Sequence, residues 1–250
     1  MTTGARKPGE FCWFNILTSE PASARAFFAE LLGWTYDGVI VRAGEHAIGA
    51  LHDLADPRTP PGTLPLIGQM VKVESADAAG ERVRALGGRA RPAFDIGDQG
   101  RMAVCHDPCG AELDVWEPRK LIGTEVDSRR HGAPSWFEAR TSDVERAATF
   151  YAALFGWTPR VTPMPGGTYT SFDLDGVPVA GMMLDRPPAG ALTPRWTTYF
   201  TVDDAEHVER AGVRLGGTIS MSLKNIAGMG RICGITSPQG VAFQVVEYTR

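Results

Sequence analysis

The chain repeats itself. Trp13–Trp34 reads WFNILTSEPASARAFFAELLGW and Trp136–Trp157 reads WFEARTSDVERAATFYAALFGW, identical at 10 of 22 positions without a gap. Val73–Gly88 (VESADAAGERVRALGG) corresponds to Val202–Gly217 (VDDAEHVERAGVRLGG). Gly100-Arg101, Asp107–Gly110 and Glu117 recur in the same order as Gly230-Arg231, Ser237–Gly240 and Glu247. Three collinear matches mark a duplicated unit, so the chain must fold as two similar halves. The halves are read as residues 8–122 and 131–250, joined by a linker at 123–130. The wider stretch Glu117–Ser135 is polar, marked by Gly and Pro and free of periodicity.

Each half repeats more weakly within itself. A strand-like run at Phe11–Leu17 precedes Pro21–Leu32, where Ala24, Phe27, Phe28, Leu31 and Leu32 recur with helical spacing. Pro21 suits a first helical turn and Gly33 a helix stop. Two strands are expected near Val39–Ala43 and His46–His52. The counterpart in the second half is a hairpin of Tyr169–Leu174 and Val177–Leu184 around Asp175-Gly176, a dipeptide suited to a two-residue turn. A new strand at Leu66–Val73 then enters a helix at Ala76–Leu86, closed by Gly87-Gly88, and strands follow near Arg101–Cys105 and Glu112–Trp116. The pattern predicts four strand-helix-strands units. The Pro-rich loops Asp53–Pro65 and Asp185–Pro194 are placed to act as flaps.

Composition narrows the function classes. The chain is 43% hydrophobic and 22% charged, which are globular values. With 29 acidic and 25 basic residues the net charge is -4, so nothing drives it electrostatically toward nucleic acid or anionic lipid. Its densest basic cluster, Arg129-Arg130-His131, is short. Apolar runs are too short to cross a membrane, and Met1–Glu10 lacks the apolar core of a signal peptide. Four cysteines fit a reducing compartment, and Cys105 and Cys109 have no second pair to form a metal site. The expectation is a soluble cytoplasmic protein with a small-molecule partner and with no nucleic-acid or membrane partner.

Phe27-Phe28-x-x-Leu31-Leu32-Gly33-Trp34 and Phe150-Tyr151-x-x-Leu154-Phe155-Gly156-Trp157 resemble a motif of the vicinal-oxygen-chelate superfamily, which holds glyoxalases, bleomycin-resistance proteins and ring-cleaving dioxygenases. The acids Glu20 and Asp143 precede the motif at the family's spacing. Asp107–Gly110 is its turn before the last strand, with Ser237–Gly240 as a variant. The resemblance implies an α+β fold of two tandem glyoxalase-like domains, four βαβββ modules whose curled mixed sheets form cups. Modules can pair within a half or across halves, and four in one chain make dimerisation unnecessary without excluding it. The resemblance also implies a divalent metal held by a His or Gln on first strands and a Glu on last strands. Those positions fall here on Trp13, Trp136, Gly68, Thr197, Asp114 and Gln244. The remaining one lies within Ala47–Leu51 or Val177–Leu184, which hold no carboxylate. Indole cannot ligate, and only Asp114 is a good hard-metal donor. No metal or other cofactor of the family type is therefore expected. His46 and His52 flank a strand, His106 adjoins a turn, His131 is in the linker and His207 is on a helix, so histidines do not complete a set.

Strand alternation gives the expected cup lining. Trp136, Glu138 and Arg140 share one face of their strand, with Phe137 and Ala139 facing the helix. Trp13, Asn15 and Leu17 correspond in the first half. Glu112, Asp114 and Trp116 face the cup on one last strand, and Ala242, Gln244 and Val246 on the other. Met70 and Lys72, and Thr197, Tyr199 and Thr201, come from the inner strands. The expected ligand-binding set is Trp13, Asn15, Met70, Lys72, Glu112, Asp114, Trp116, Trp136, Glu138, Arg140, Tyr199 and Gln244. Indoles, thioethers and a few charges suit a planar or apolar organic ligand. The expected function is metal-free binding of such a ligand, with a sequestering role of the bleomycin-resistance type. The alternative is an enzyme on the same cup: a lyase, isomerase, hydrolase or dioxygenase-like protein. It would use Glu138 or Asp114 as base and Arg140 or Lys72 at an oxyanion, or an unrecognised metal site. Plainer readings stand beside these: Trp13 and Trp136 as plugs, and Glu138–Arg140 or Lys72–Asp114 as internal ion pairs. Phe27, Phe28, Phe150 and Tyr151 read as core. No phosphate loop or nucleophile motif is present.

Overall fold

The computed structural model describes residues 4–57, 59, 61–185 and 194–249. In the first half β1 (Phe11–Thr18) leads into α1 (Pro21–Leu32), then β2 (Thr35–Asp37), β3 (Ile40–Ala43) and β4 (His46–Asp53). The second module runs β5 (Leu66–Lys72), α2 (Ala76–Ala85), β6 (Arg89–Ala90), β7 (Phe94–Ile96), β8 (Gly100–Ala103), β9 (Cys105–His106) and β10 (Asp114–Pro118). The second half repeats this as β11 (Pro134–Thr141), α3 (Val144–Phe155), β12 (Thr158–Met164), β13 (Gly167–Leu174), β14 (Val177–Leu184), β15 (Arg195–Thr201), α4 (Ala205–Arg214), β16 (Thr218–Ile226), β17 (Gly230–Thr236) and β18 (Ala242–Tyr248). α1 and α3 stop where Gly33 and Gly156 adopt left-handed φ of 65° and 73°. Asp175 (φ 52°) and Gly176 (φ 79°) form the expected hairpin turn.

Each half makes one curled eight-stranded sheet, ordered β2-β3-β4-β1-β5-β10-β8-β7 and β12-β13-β14-β11-β15-β18-β17-β16. β1 pairs antiparallel with β5, and β11 with β15, so modules join within a half. The sequence reading missed the short β2, β6 and β7 of the first half, and β12 and β16 of the second. β12 is exposed along its whole length and has no apolar alternation, and β16 was passed over between Gly217 and Gly230. Of the two candidate flaps, 186–193 lies outside the described residues, as do 58 and 60 in the other.

The helix-facing surfaces pack across halves. One core joins Phe14, Phe27, Phe28, Leu31 and Trp34 of the first half to Phe200, Val208, Ile235 and Phe243 of the second. The other joins Val71, Val83 and Val115 to Phe137, Phe150, Tyr151 and Trp157. A reciprocal clasp ties them. Trp34 Nε1 donates to the Gly132 carbonyl at 2.8 Å, and Trp157 Nε1 donates to the Gly9 carbonyl at 2.8 Å. A Cβ on Gly132 would lie 2.5 Å from the Leu32 carbonyl oxygen, so both its φ of 78° and its space demand glycine. The symmetry breaks at one pair. Tyr151 donates to Asp107 Oδ2 at 2.9 Å and accepts from Trp196 Nε1 at 2.8 Å, whereas the equivalents of Tyr151 and Asp107 are Phe28 and Ser237. The segment 123–130 is held between the halves: Thr124 N–H reaches the Cys12 carbonyl, Arg6 reaches the Val126 carbonyl, and Thr201 reaches the Ser128 carbonyl.

Because each core draws on both halves, the full chain is expected to unfold in one cooperative urea transition. Residues 131–250 alone are expected to lack near-ultraviolet circular dichroism. Trp34→Phe and Trp157→Phe should each cost about 1–2 kcal/mol by leaving a buried carbonyl unpaired. Two separated transitions in the full chain would contradict the shared core.

Candidate functional site

Corresponding strands line the two cups differently. In the first half Trp13, Met70, Met102 and Trp116 are buried together beside Ala50, so two indoles and two thioethers fill the hollow from within. Trp116 Nε1 donates to the Leu121 carbonyl at 2.9 Å, and Asn15 Nδ2 lies 3.9 Å from Met70 Sδ. Asp114 is buried, and its Oδ1 has no hydrogen-bond partner. Burial above all, and then Glu112, push its pKa well above the ordinary carboxylate range, opposed by the Cys105 backbone N–H.

In the second half the register puts Tyr199 where Met70 stands, Glu138 where Asn15 stands and Gln244 where Asp114 stands. A polar relay results. Trp136 Nε1 donates to Tyr169 Oη at 3.0 Å, and Tyr169 Oη donates to Glu138 Oε2 at 3.1 Å. Arg140 Nη2 stands 2.9 Å from Glu138 Oε1, an oxygen that accepts no hydrogen bond, and the Tyr199 phenol feels the same carboxylate. Glu138 is buried, while the Arg140 side chain keeps 24% exposure and so reaches from the carboxylate to solvent. Burial, with the Glu138 charge second, raises both phenols, so Tyr169 and Tyr199 stay protonated and donating at neutral pH. Ile226, Met221, Met229 and Tyr248 pack as partly buried walls around Tyr199, Ile232 and Val246. Gln244 Oε1 is buried without a partner.

The expected residues therefore part company. Trp136, Glu138, Arg140, Tyr199 and Gln244 come together, and Glu138–Arg140 is the expected ion pair. Trp13, Asn15, Met70, Asp114 and Trp116 gather in the filled first cup. Two placements need correction. Lys72 Nζ bonds the Arg6 carbonyl at 2.9 Å and reaches neither a cup nor Asp114, because the N-terminal segment crosses its strand end. Glu112 precedes β10 and sits half-exposed, 3.4 Å from His106 Nε2. The described histidines pair elsewhere: His46 with Glu45, and His131 with Asp203. The residue missed was Tyr169. Counting back from the Asp175-Gly176 turn sets it opposite Met182, a core residue, but a bulge between Phe172 and Asp173 shifts it to Met183. Gly181 leaves room for the Tyr169 hydroxyl, which would collide with any Cβ there.

The sequence model of the Glyoxalase/Bleomycin resistance protein/Dioxygenase superfamily matches residues 11–115 and 133–245. The chain belongs to this superfamily. It is similar to "Putative glyoxylase CFP32" of Mycobacterium tuberculosis (strain CDC 1551 / Oshkosh), 30% identical over 247 residues, covering 94% of this chain and 93% of the relative. It is equally similar to "Anthracycline biosynthesis protein DnrV" of Streptomyces peucetius, 30% identical over 260 residues, covering 96% and 94%. Among solved structures, the Mn(II)-bound glyoxalase from Novosphingobium aromaticivorans superposes with a TM-score of 0.65 at 15% identity, covering 96% of this chain and 82% of that one. BphC, a halotolerant catechol dioxygenase, gives 0.65 at 13%, covering 96% and 87%. At these identities the structures share the fold.

Neither cup offers the donor set of a divalent metal. Around Asp114 the family positions carry an indole and a glycine, neither of which has a side-chain donor for a metal. In the second cup the one carboxylate is already paired with a guanidinium and bonded by a phenol, and a metal ion beside Arg140 would be repelled. Among the described residues no group of three His, Cys, Asp or Glu converges.

A carboxyl with a raised folded pKa favours the folded state while protonated, so its contribution is present below about 3.9 and lost as pH rises through the folded value. Asp114→Asn is expected to stabilise the protein by about 1 kcal/mol at neutral pH, with the gain shrinking in acid. Urea melts across that range check this; a loss of stability in the variant at neutral pH would show that Asp114 is charged and paired.

Proposed function

We propose that the second-half cup binds a planar, oxygen-bearing organic molecule without a metal, and that the first-half cup is its filled structural counterpart. The carrying observation is the relay Trp136–Tyr169–Glu138–Arg140, which orders an indole, a phenol and a cation around one buried carboxylate. Trp136 and the Met221 and Met229 thioethers supply stacking area, each aromatic contact contributing about 0.5–1.5 kcal/mol beyond burial. Arg140 supplies charge-assisted donors for a keto or phenolate oxygen. The orphaned Gln244 Oε1 accepts from a ligand hydroxyl. Two similar proteins are named for anthracycline biosynthesis, and anthracyclines are fused-ring compounds with keto and hydroxyl groups. Sequestration needs this arrangement and nothing more.

A second reading is turnover on the same cup. It draws on the relatives named as glyoxylases. Glu138 would then be the base, with Oε1, which accepts no hydrogen bond, as the atom that takes the proton.

The probe is 1,2-dihydroxyanthraquinone, followed by its visible absorption shift. Trp136→Ala and Arg140→Ala are each expected to raise Kd about tenfold, equivalent to about 1.4 kcal/mol. Unchanged Kd in both variants would remove the cup as the site. Exhaustive EDTA treatment is expected to leave Kd unchanged, and loss of binding that added Mn(II) restores would overturn the metal-free reading. Glu138→Gln separates the two readings, since consumption of the probe that stops in this variant identifies an enzyme.

A further inference from the structure

Outside both cups, a cavity of about 180 Å³ opens where β1 and β11 begin, beneath the N-terminal segment and the stretch 123–130. It is built by the duplication. β1 breaks register between Phe11 and Trp13, and β11 breaks it between Pro134 and Trp136, at equivalent places. The two bulges hold the strand starts apart. Phe11 and Phe137, stacked at 3.9 Å, form part of the wall, with Trp13, Trp136 and Val179 completing its apolar part.

Polar groups are set into this wall. Ser128 is 4% exposed and its Oγ has no hydrogen-bond partner, although it could both donate and accept. Glu10, 7% exposed, takes the Lys7 N–H on Oε2 at 2.6 Å. Arg6 already donates to the Gly4 and Val126 carbonyls, at 2.9 and 2.7 Å. A buried hydroxyl without a partner costs stability, and here it lines a space that can supply one. An apolar cavity of about 150 Å³ accepts benzene, so one ring fits here.

We propose that this cavity is a second small-molecule site, for a single-ring aromatic bearing a hydroxyl, the phenol class. The ring lies against the aromatic wall, and its hydroxyl bonds Ser128 Oγ and the Glu10 carboxylate. The site shares the Trp136 ring with the second-half cup but includes none of Tyr169, Glu138 and Arg140, and its polar groups come from the N-terminal segment and the stretch 123–130.

The test uses the full chain and phenol itself, with binding followed by isothermal titration calorimetry. Saturable 1:1 binding is expected. Val179→Phe, which places a ring in the cavity, should abolish it. Ser128→Ala should weaken it about tenfold, and Arg140→Ala, which removes the cation of the cup and touches no residue of this wall, should leave it unchanged. Should Val179→Phe fail to fold, Ser128→Ala and a crystal structure with phenol decide, the latter expected to show the ring between Phe11 and Val179. The proposal is overturned by absence of saturable binding up to roughly 10 mM, by unchanged affinity in folded Val179→Phe, by unchanged affinity in Ser128→Ala, or by loss of binding in Arg140→Ala, which would place phenol in the cup.

Discussion

Each half of this chain supplies only part of a hydrophobic core. The first module of one half packs its helix against the second module of the other, twice, and two indoles close the arrangement by reaching across to carbonyls at the start of the opposite half. A sheet that buried its helix-facing side only within its own half would leave Phe27, Phe28, Phe150 and Tyr151 short of partners. The exchange fixes both sheets relative to each other and leaves the cup faces outside the shared cores.

Freedom follows from that placement. The cup faces carry none of the packing that joins the halves, so substitutions there leave the scaffold standing. The first cup has moved toward apolar filling by Trp13, Met70, Met102 and Trp116, and the one carboxyl left in it is held with its charged form disfavoured. The second has moved toward a polar relay around a charged pair. Both depart from a metal-binding donor set, by different routes: one removes donors, and the other occupies its donor with a cation and a phenol.

Much of this was legible in the residues. Helix α1 was bounded by Pro21 and Gly33, and the hairpin at Asp175-Gly176 followed from its turn chemistry, because both signals are local. The cup faces of β11 and β18 followed from alternation, because a strand has period two. Lys72 and Glu112 failed for a complementary reason. Alternation gives a side, but at a strand end the side chain follows whatever chain passes nearby: the Arg6 carbonyl for Lys72 and His106 for Glu112. β12 failed because an edge strand exposed along its length has no apolar pattern to read.

By itself the sequence determined the duplication, the α+β modules and the helix ends, since each depends on residue identity at fixed spacing. Tertiary structure alone decided that modules join within a half while cores are shared between halves, that one cup is filled and the other polar, and that Tyr169 reaches Glu138. These depend on contacts between residues distant in the sequence, or on a single bulge that turns a side chain from one face to the other. Neither leaves a period in the sequence, because the free energy that selects them comes from packing partners that local pattern does not record.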